Sequence, residues 1–334
     1  MNRGATLSAA DGRISMRRSG RAVVLTALLL VVVGCDDAAT PSTTDTTPPQ
    51  TTTTTTSTTV TSTTIVPLVD PGFSVYFLIS ETENGDQGPF LVPVHRTWEA
   101  DQPGGPTVAV QALLLGPEAA AWAGEVDSLL FSEIPPGTNV LEVTWDDGVA
   151  NVDLSGAYDD GAGSLSMLAR LAQVTYTLTQ FDDIDAVTFS IDGDPVSVFS
   201  SEGIDLSQPV TRETFADLRP PLFVETPAWG SEVTLPLSVS GIGHLDGGTV
   251  WCVLGNGEGQ ALPDYDEDSW SSVEVISAGD PPVFECELDA DLSNLERDLT
   301  SIYDGELVVW EPGPDEGAAI NVITYPLRFA VPPR

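Results

Sequence analysis

The chain has 334 residues, of which 12 are basic and 50 are acidic, so its formal net charge at neutral pH is −38. A surface of this charge repels nucleic acid and anionic lipid headgroups, and we therefore exclude nucleic acid as a partner. The acidity need not indicate any partner, since it could serve only to keep the protein soluble in a salty medium.

Residues 1–34 have the pattern of a lipoprotein signal peptide. Arg17, Arg18 and Arg21 precede the apolar run 22–33, which is too short to span a bilayer. The run ends in Val32-Val33-Gly34-Cys35, which resembles a bacterial lipobox, whose cysteine is acylated and becomes the mature N-terminus. We expect Cys35 to carry fatty acid such as palmitate and to anchor the protein on the extracytoplasmic face of a bacterial membrane. The alternative is an ordinary cleaved signal peptide with an incidental cysteine.

Residues 35–68 form a linker of Thr, Ser, Pro and Asp in which positions 51–56 are all threonine. A segment of this composition cannot bury an apolar core, and we expect it to be disordered. It then acts as a stalk between the membrane and the folded part.

Residues 69–205 have the pattern of an α+β domain. The alternation of Phe73, Val75, Phe77 and Ile79 with less apolar residues predicts a strand with one apolar face, and residues 90–94 predict its partner. Residues 140–145 and 149–154 flank an Asp-Asp-Gly sequence, which predicts a β-hairpin. A last strand is expected around Val187, Phe189 and Ile191, with a turn at residues 193–194.

Two helices are predicted in this domain. Pro106 opens a helical run that Gly116 and Pro117 close. Residues 165–181 carry apolar residues at helical spacing, and Ser164 is placed to cap the helix. The expected fold is an antiparallel sheet covered by two helices.

Residues 222–334, after a Pro-containing connector at 206–221, predict an all-β domain. Val233, Leu235, Leu237 and Val239 share one face of a strand. Two further alternating runs lie at residues 284–288 and 325–331, and residues 292–299 are the one candidate helix. Short strands separated by turn residues over this length favour a β-sandwich of immunoglobulin type.

Cys252 and Cys286 are expected to form a disulfide, because disulfides persist outside the cytoplasm. A metal site is not supported, because His95 and His244 lie at no close ligand spacing from either cysteine.

Four ordered segments resemble the GerM domain of sporulation and spore-germination lipoproteins. They are Ala112-Leu113-Leu114-Leu115-Gly116-Pro117, Ile134-Pro135-Pro136-Gly137-Thr138, residues 147–155 and Thr175-Tyr176-Thr177-Leu178-Thr179. The resemblance implies a non-catalytic envelope module that works by protein contact, similar to the ring-building domains of secretion and sporulation assemblies.

The C-terminal residues resemble the immunoglobulin-like domain of bacterial spore germination. The resemblance lies in residues 224–227, 239–241 and 305–311. Residues 242–245 lack the aromatic and acidic side chains that this family carries there, and the paired cysteines are an addition.

Few residues are candidates for a functional site. The sequence contains no nucleophile elbow, zinc-protease helix or phosphate-binding loop, so we expect neither an enzyme nor a cofactor. His95 and Arg96 could form the polar end of a ligand or partner site, and the alternative is a plain loop pair or a local salt bridge. Trp229 and Trp270, if exposed, could stack on sugars, and the alternative is core packing.

Two functions are consistent with these sequence features. The first is a lipid-anchored envelope protein whose α+β domain assembles with another envelope protein or with itself. The second is a surface lipoprotein that binds peptidoglycan or another glycan through its tryptophans.

Overall fold

Strands dominate the structure, in an α+β arrangement with several sheets. The computed structural model describes residues 72–97, 105–119, 129–161, 163–243, 249–255, 271–274, 282–289, 302–313 and 318–330. Cys35, the Thr-rich linker, Trp270 and the candidate helix at 292–299 lie outside these residues. The domain boundaries given above stay predictions.

The first sheet has the order β2-β1-β3. Its strands are β1 (Gly72–Glu81), β2 (Gln87–Thr97) and β3 (Leu130–Phe131). The predicted pairing of β1 with β2 is confirmed, since they run antiparallel with Phe77 opposite Val92. The predicted apolar face is buried, and the other face is buried as well, since Tyr76 and Leu78 are nearly as inaccessible as Phe77. A strand covered on both faces loses the polar alternation that marks a surface strand.

The two helices lie close to their predicted positions. Helix α1 (Pro106–Leu114) begins with its proline and ends before Gly116, whose φ of +82° only glycine adopts easily. Helix α2 (Ser164–Leu178) is shorter than predicted and is preceded by Gly163 as the cap residue. Ser164 is not the cap, because its hydroxyl donates a hydrogen bond to Glu202 instead.

The second sheet has the order β4-β5-β6-β7. Its strands are β4 (Val140–Asp146), β5 (Gly148–Leu154), β6 (Ile184–Ile191) and β7 (Asp194–Pro195). The predicted hairpin is confirmed, with Asp147 and Gly148 at φ values of 48° and 79° in its turn. The expectation of an antiparallel sheet is wrong, because β6 runs parallel to β5. Helix α2 is long enough to serve as the crossover that a parallel pair requires.

A short connecting region follows. Strands β8 (Val198–Phe199) and β9 (Ile204–Asp205) pair with each other, and a 3₁₀ segment spans Arg212–Leu218. Thr211 and Thr214 cap this segment reciprocally.

The C-terminal part contains two sheets. The three-stranded sheet comprises β10 (Leu222–Thr226), β12 (Leu237–Gly243) and β15 (Val283–Leu288). The five-stranded sheet comprises β11 (Glu232–Val233), β13 (Thr249–Gly255), β14 (Ser271–Glu274), β16 (Ile302–Pro312) and β17 (Ala319–Ala330), in the order β11-β17-β16-β13-β14.

The predicted continuous strand face from Val233 to Val239 is wrong. Val233 belongs to β11 in the five-stranded sheet, whereas Leu237 and Val239 belong to β12 in the other. A disulfide between Cys252 of β13 and Cys286 of β15 links the two sheets, and both cysteines are buried.

The buried side chains form one main cluster that runs through both parts of the chain. A smaller cluster lies around Val253, Val308 and Trp310 on the five-stranded sheet, where Trp251 stacks on Trp310 with ring centroids 6.4 Å apart. These side chains alternate with the core-facing Cys252, Leu254, Leu307 and Val309, so this sheet is apolar on both faces.

Candidate functional site

The structure brings His95, Arg96 and Trp229 together at the outer edge of β2. The backbone N–H of His95 donates to the carbonyl of Trp229 at 2.8 Å, and the N–H of Trp229 donates to the carbonyl of Pro93 at 2.8 Å. The indole of Trp229 is only 6% exposed, and its ring centroid lies 5.8 Å from that of Tyr325. The expectation that Trp229 could be exposed for stacking on a sugar is therefore wrong.

Arg96 also serves the packing of this region. Its buried guanidinium donates to the carbonyls of His95 at 3.0 Å and Pro117 at 3.4 Å, and it lies 5.3 Å from the centre of the Phe77 ring. The imidazole of His95 fills the space beside Gly72, where a Cβ atom would come within 1.9 Å of it.

Residues 228–233, which we call the joint segment, connect β2 to the C-terminal sheet. On one side the joint segment pairs with β2 through Trp229, as described above. On the other side Gly230 donates to the carbonyl of Pro326 at 2.8 Å, and Arg328 donates to the carbonyl of Ser231 at 2.9 Å. Backbone hydrogen bonds thus run without interruption from the first sheet, through the joint segment, into β17.

The tip of the β1–β2 hairpin closes the rest of the β17 edge. The carboxylate of Glu83 accepts a hydrogen bond from the N–H of Thr324 at 3.0 Å. The side chain of Asn84 accepts one from the N–H of Val322 and donates to the carbonyl of Ala319. The outer edge of β17 is therefore occupied along much of its length, and that of β2 is occupied at Pro93–His95.

Arg212 forms a second connection between the two parts, and no sequence motif marks it. Its guanidinium donates to Thr179 at 2.8 Å and to the hydroxyl of Tyr76 at 3.1 Å, and forms a salt bridge with Glu225. It also lies 5.0 Å from the centre of the Tyr176 ring. The sequence signal that could have identified Arg212 is the scarcity of basic residues, 12 against 50 acidic ones. In so acidic a chain, each arginine is a candidate for a specific contact.

Burial shifts the titration of the tyrosines around Arg212. Burial raises the pKa of Tyr76 to about 12, against the opposing effect of the nearby Arg212 charge. Burial likewise raises the pKa of Tyr176 to about 12. Both rings are therefore neutral at physiological pH and pack as apolar groups around a cation.

Strand β4 is the exposed edge of the second sheet. Leu141 is 52% exposed and Trp145 is 46% exposed, which is unusual for large apolar side chains on a strand. Among the described residues only β5 pairs with β4, so its outer backbone groups have no described partner. A β-bulge at Leu141 interrupts the pairing and leaves residues 142–146 as the regular part of the edge.

The described residues offer no arrangement for metal or acid–base chemistry that we can assign. No group of three or more metal-ligating side chains occurs among them. Arg170 is fully buried and donates to the backbone carbonyls of Tyr158 at 2.6 Å and Asp160 at 3.0 Å, which holds the 3₁₀ turn at residues 156–159. Within the described residues no helix is long and apolar enough to cross a membrane.

Comparison with known families and structures gives one family match. Residues 74–197 match the model of the family described as "Germane: Sporulation and spore germination". No curated protein sequence matches the chain.

Several solved structures are similar to part of the chain. The first GerMN domain of the sporulation protein GerM from Bacillus subtilis is 23% identical, covers 42% of this chain and 98% of its own length, and has a TM-score of 0.32. The tandem GerMN domains of the same protein are 20% identical, cover 67% of this chain and 62% of their own length, and have a TM-score of 0.33. A Clostridium perfringens protein described as a lipoprotein is 20% identical, covers 46% of this chain and 95% of its own length, and has a TM-score of 0.28.

Proposed function

Because residues 74–197 form a domain of the Germane family, related to sporulation and spore germination, we propose that this protein is a non-catalytic assembly protein of the bacterial cell envelope. Its α+β part contacts an envelope protein through strand β4. The observation that carries this proposal is the exposure of Leu141 and Trp145 on an edge strand that pairs with β5 on one side and with no described residue on the other. An unpaired strand edge is a template for another strand, and proteins that do not use such an edge usually cover it.

The outer edges of the long strands β2 and β17 differ from that of β4, because other residues of the chain pair with them. The joint segment pairs with the outer edge of β2 at Pro93–His95, and the edge of β17 is covered by the joint segment and the β1–β2 hairpin tip. Strand β7, at the far end of the second sheet, has only two residues. Within residues 72–210, β4 is the one described outer strand of more than two residues that no described backbone group pairs with on its outer side, which favours it as the contact surface.

The proposal places the protein on the extracytoplasmic face of the membrane, held by lipid on Cys35. The basic residues 17–21, the apolar run 22–33 and the lipobox-like sequence ending at Cys35 support this anchor. Mass spectrometry of the native protein tests it: we expect a diacylated or triacylated Cys35 at the mature N-terminus. A Cys35 without acyl chains would contradict the anchor but not the contact surface.

We also propose that residues 222–334 form an immunoglobulin-like sandwich that serves as a spacer or second contact domain. The division of the strands into a three-stranded and a five-stranded sheet, linked by a buried disulfide, supports this assignment.

Site-specific photocrosslinking in cells tests the contact surface. A photoreactive amino acid at Leu141 is expected to give one discrete adduct, whose partner mass spectrometry identifies. An adduct of twice the mass of the mature chain, which starts at Cys35, would indicate self-association. The matched control is Val198, an apolar strand residue that is 61% exposed away from β4. Equal adducts at both positions, or none at Leu141, would refute β4 as the contact surface.

A further inference from the structure

The two faces of β4 differ in chemistry. Val143 lies opposite Val152 and Trp145 lies opposite Ala150, on the face of the sheet that packs into the core. Glu142 and Asp146 lie on the other face, which is exposed. A strand added beside residues 142–146 would therefore meet apolar side chains on one face and carboxylates on the other.

The acidic face extends beyond β4. Asp153 lies directly opposite Glu142, and Asp147 and Asp185 lie at the hairpin end, where Asp185 comes close to Gly148. Within the described part of the chain no salt bridge involves any of these carboxylates. This patch of negative charge is therefore not neutralised by the residues around it.

The described arginines of the α+β part and its connector are engaged elsewhere. Arg96 binds two backbone carbonyls, Arg170 is buried against the turn at residues 156–159, and Arg212 pairs with Glu225. Arg219 pairs with Glu213 at 3.3 Å. None of these four arginines is left to complement the patch, which favours a cation from another molecule.

We infer that the partner of β4 is a basic, amphipathic β-strand of a different protein, in which apolar residues alternate with Lys or Arg. This inference rests on the proposed function and adds the chemistry of the partner. Backbone hydrogen bonds to β4 supply the attachment, the apolar side chains cover Val143 and Trp145, and the basic ones face Glu142 and Asp146. A second copy of this chain is disfavoured, because it brings its own carboxylates to the interface and a net charge of −38.

The size of the edge limits the affinity. The bulge at Leu141 leaves five residues in regular geometry, so we expect dissociation constants of about 1–100 μM for a short peptide. Because the charges are exposed, binding should weaken as salt is raised.

Peptide binding to the full chain tests the inference. The probe is a fluorescent nine-residue peptide of alternating Lys and Val, and its counterpart carries Glu in place of Lys. We expect the Lys peptide to bind by fluorescence anisotropy and the Glu peptide to bind at least tenfold more weakly. In the double variant Glu142→Lys/Asp146→Lys the preference should reverse.

Two controls separate strand addition from unspecific attraction of a basic peptide to an acidic protein. The first is a Lys–Val peptide that is N-methylated at alternate backbone nitrogens; it keeps its charge and should lose at least tenfold in affinity. The second is the single variant Asp194→Lys on β7, across the sheet from β4, which should bind within twofold of wild type whereas Glu142→Lys loses about tenfold.

Equal binding of the methylated peptide, or equal losses in Asp194→Lys and Glu142→Lys, would overturn the inference. If the Leu141 crosslink nevertheless forms in cells, the contact surface stands and only the basic strand is wrong. If the crosslink also fails, the proposed function itself is refuted.

Discussion

At the scale of single residues, Arg212 contacts three other segments of the chain. It contacts Tyr76 of β1, Tyr176 and Thr179 at the end of α2, and Glu225 of β10. Each contact is modest alone, but the removal of one charge from a partly buried pair leaves the other without compensation.

We expect Glu225→Gln to lower the free energy of unfolding by about 1–2 kcal/mol, because it removes the charged acceptor of Arg212 and changes little in shape. Glu213→Gln is the matched control, since Glu213 pairs with Arg219 at the surface and should cost less than about 0.5 kcal/mol. Urea unfolding of both variants measures the difference. Equal losses would mean that the Arg212 pair is no stronger than a surface pair.

The raised tyrosine pKa values predict a loss of stability at alkaline pH. The folded chain holds the protons of Tyr76 and Tyr176 more tightly than the unfolded chain, so their contribution is complete below pH 10 and is lost as the pH rises to about 12. The expected loss is about 2–3 kcal/mol per tyrosine. Urea unfolding over this pH range, with tyrosinate absorbance as a second probe, measures it. Tyr76→Phe should reduce the pH dependence, and an unchanged slope would contradict the assignment.

At the scale of elements, local signals predicted single elements well and their partners less well. Pro106 with Gly116, and the Asp147-Gly148 turn, fix a helix and a hairpin because backbone angles there depend on the residues themselves. The parallel pairing of β5 with β6 was missed, because a strand–helix–strand sequence allows either direction until the crossover is placed. The assignment of Val233 and Val239 to one strand failed because alternation does not identify the sheet to which a residue belongs.

Gly148→Ala should lower the free energy of unfolding by about 1–2 kcal/mol. Gly148 has a φ of 79°, and a Cβ atom there would lie 2.9 Å from the carboxylate of Asp185. Gly161→Ala is the control, because that glycine has ordinary φ and open space around it, and it should change stability by less than about 0.5 kcal/mol. Thermal unfolding of both variants checks the prediction. A neutral Gly148→Ala would show that the turn tolerates a side chain.

The candidate site was predicted only in part. The hairpin that contains β4 was expected, but Leu141 and Trp145 have the same alternation as core residues, and their exposure depends on which strand forms the edge. His95, Arg96 and Trp229 were selected for their chemistry, and their shared place at the joint segment follows from a contact across more than 130 residues. No local pattern encodes such a contact.

At the scale of the whole molecule, the two parts of the chain are joined in three places. The joint segment bonds to β2 and β17, the hairpin tip bonds to β17, and Arg212 of the connector pairs with Glu225 of β10 while it donates to Tyr76 and Thr179 of the α+β part. Their buried side chains belong to one cluster. The parts should therefore lose their structure together.

Scanning calorimetry of the full chain is expected to show one cooperative transition. The double variant Glu83→Ala/Asn84→Ala should lower its stability by about 1–2 kcal/mol and keep the transition single, because other contacts remain. Gln87→Ala is the control, since its side chain bonds only within the same hairpin. Two separated transitions in the wild-type chain would show that the parts unfold independently.

The joint segment has a practical consequence for dissecting the protein. The family model ends at residue 197, yet the backbone groups that pair with the outer edge of β2 at Pro93 and His95 come from Trp229. A fragment that ends at residue 197 would leave these backbone groups of β2 unpaired. Unpaired groups on an edge strand can pair between molecules and cause aggregation. A fragment that folds on its own should therefore extend beyond residue 197, where the family match ends. Precipitation of a shorter fragment would indicate the loss of the contact between β2 and the joint segment rather than an unstable domain.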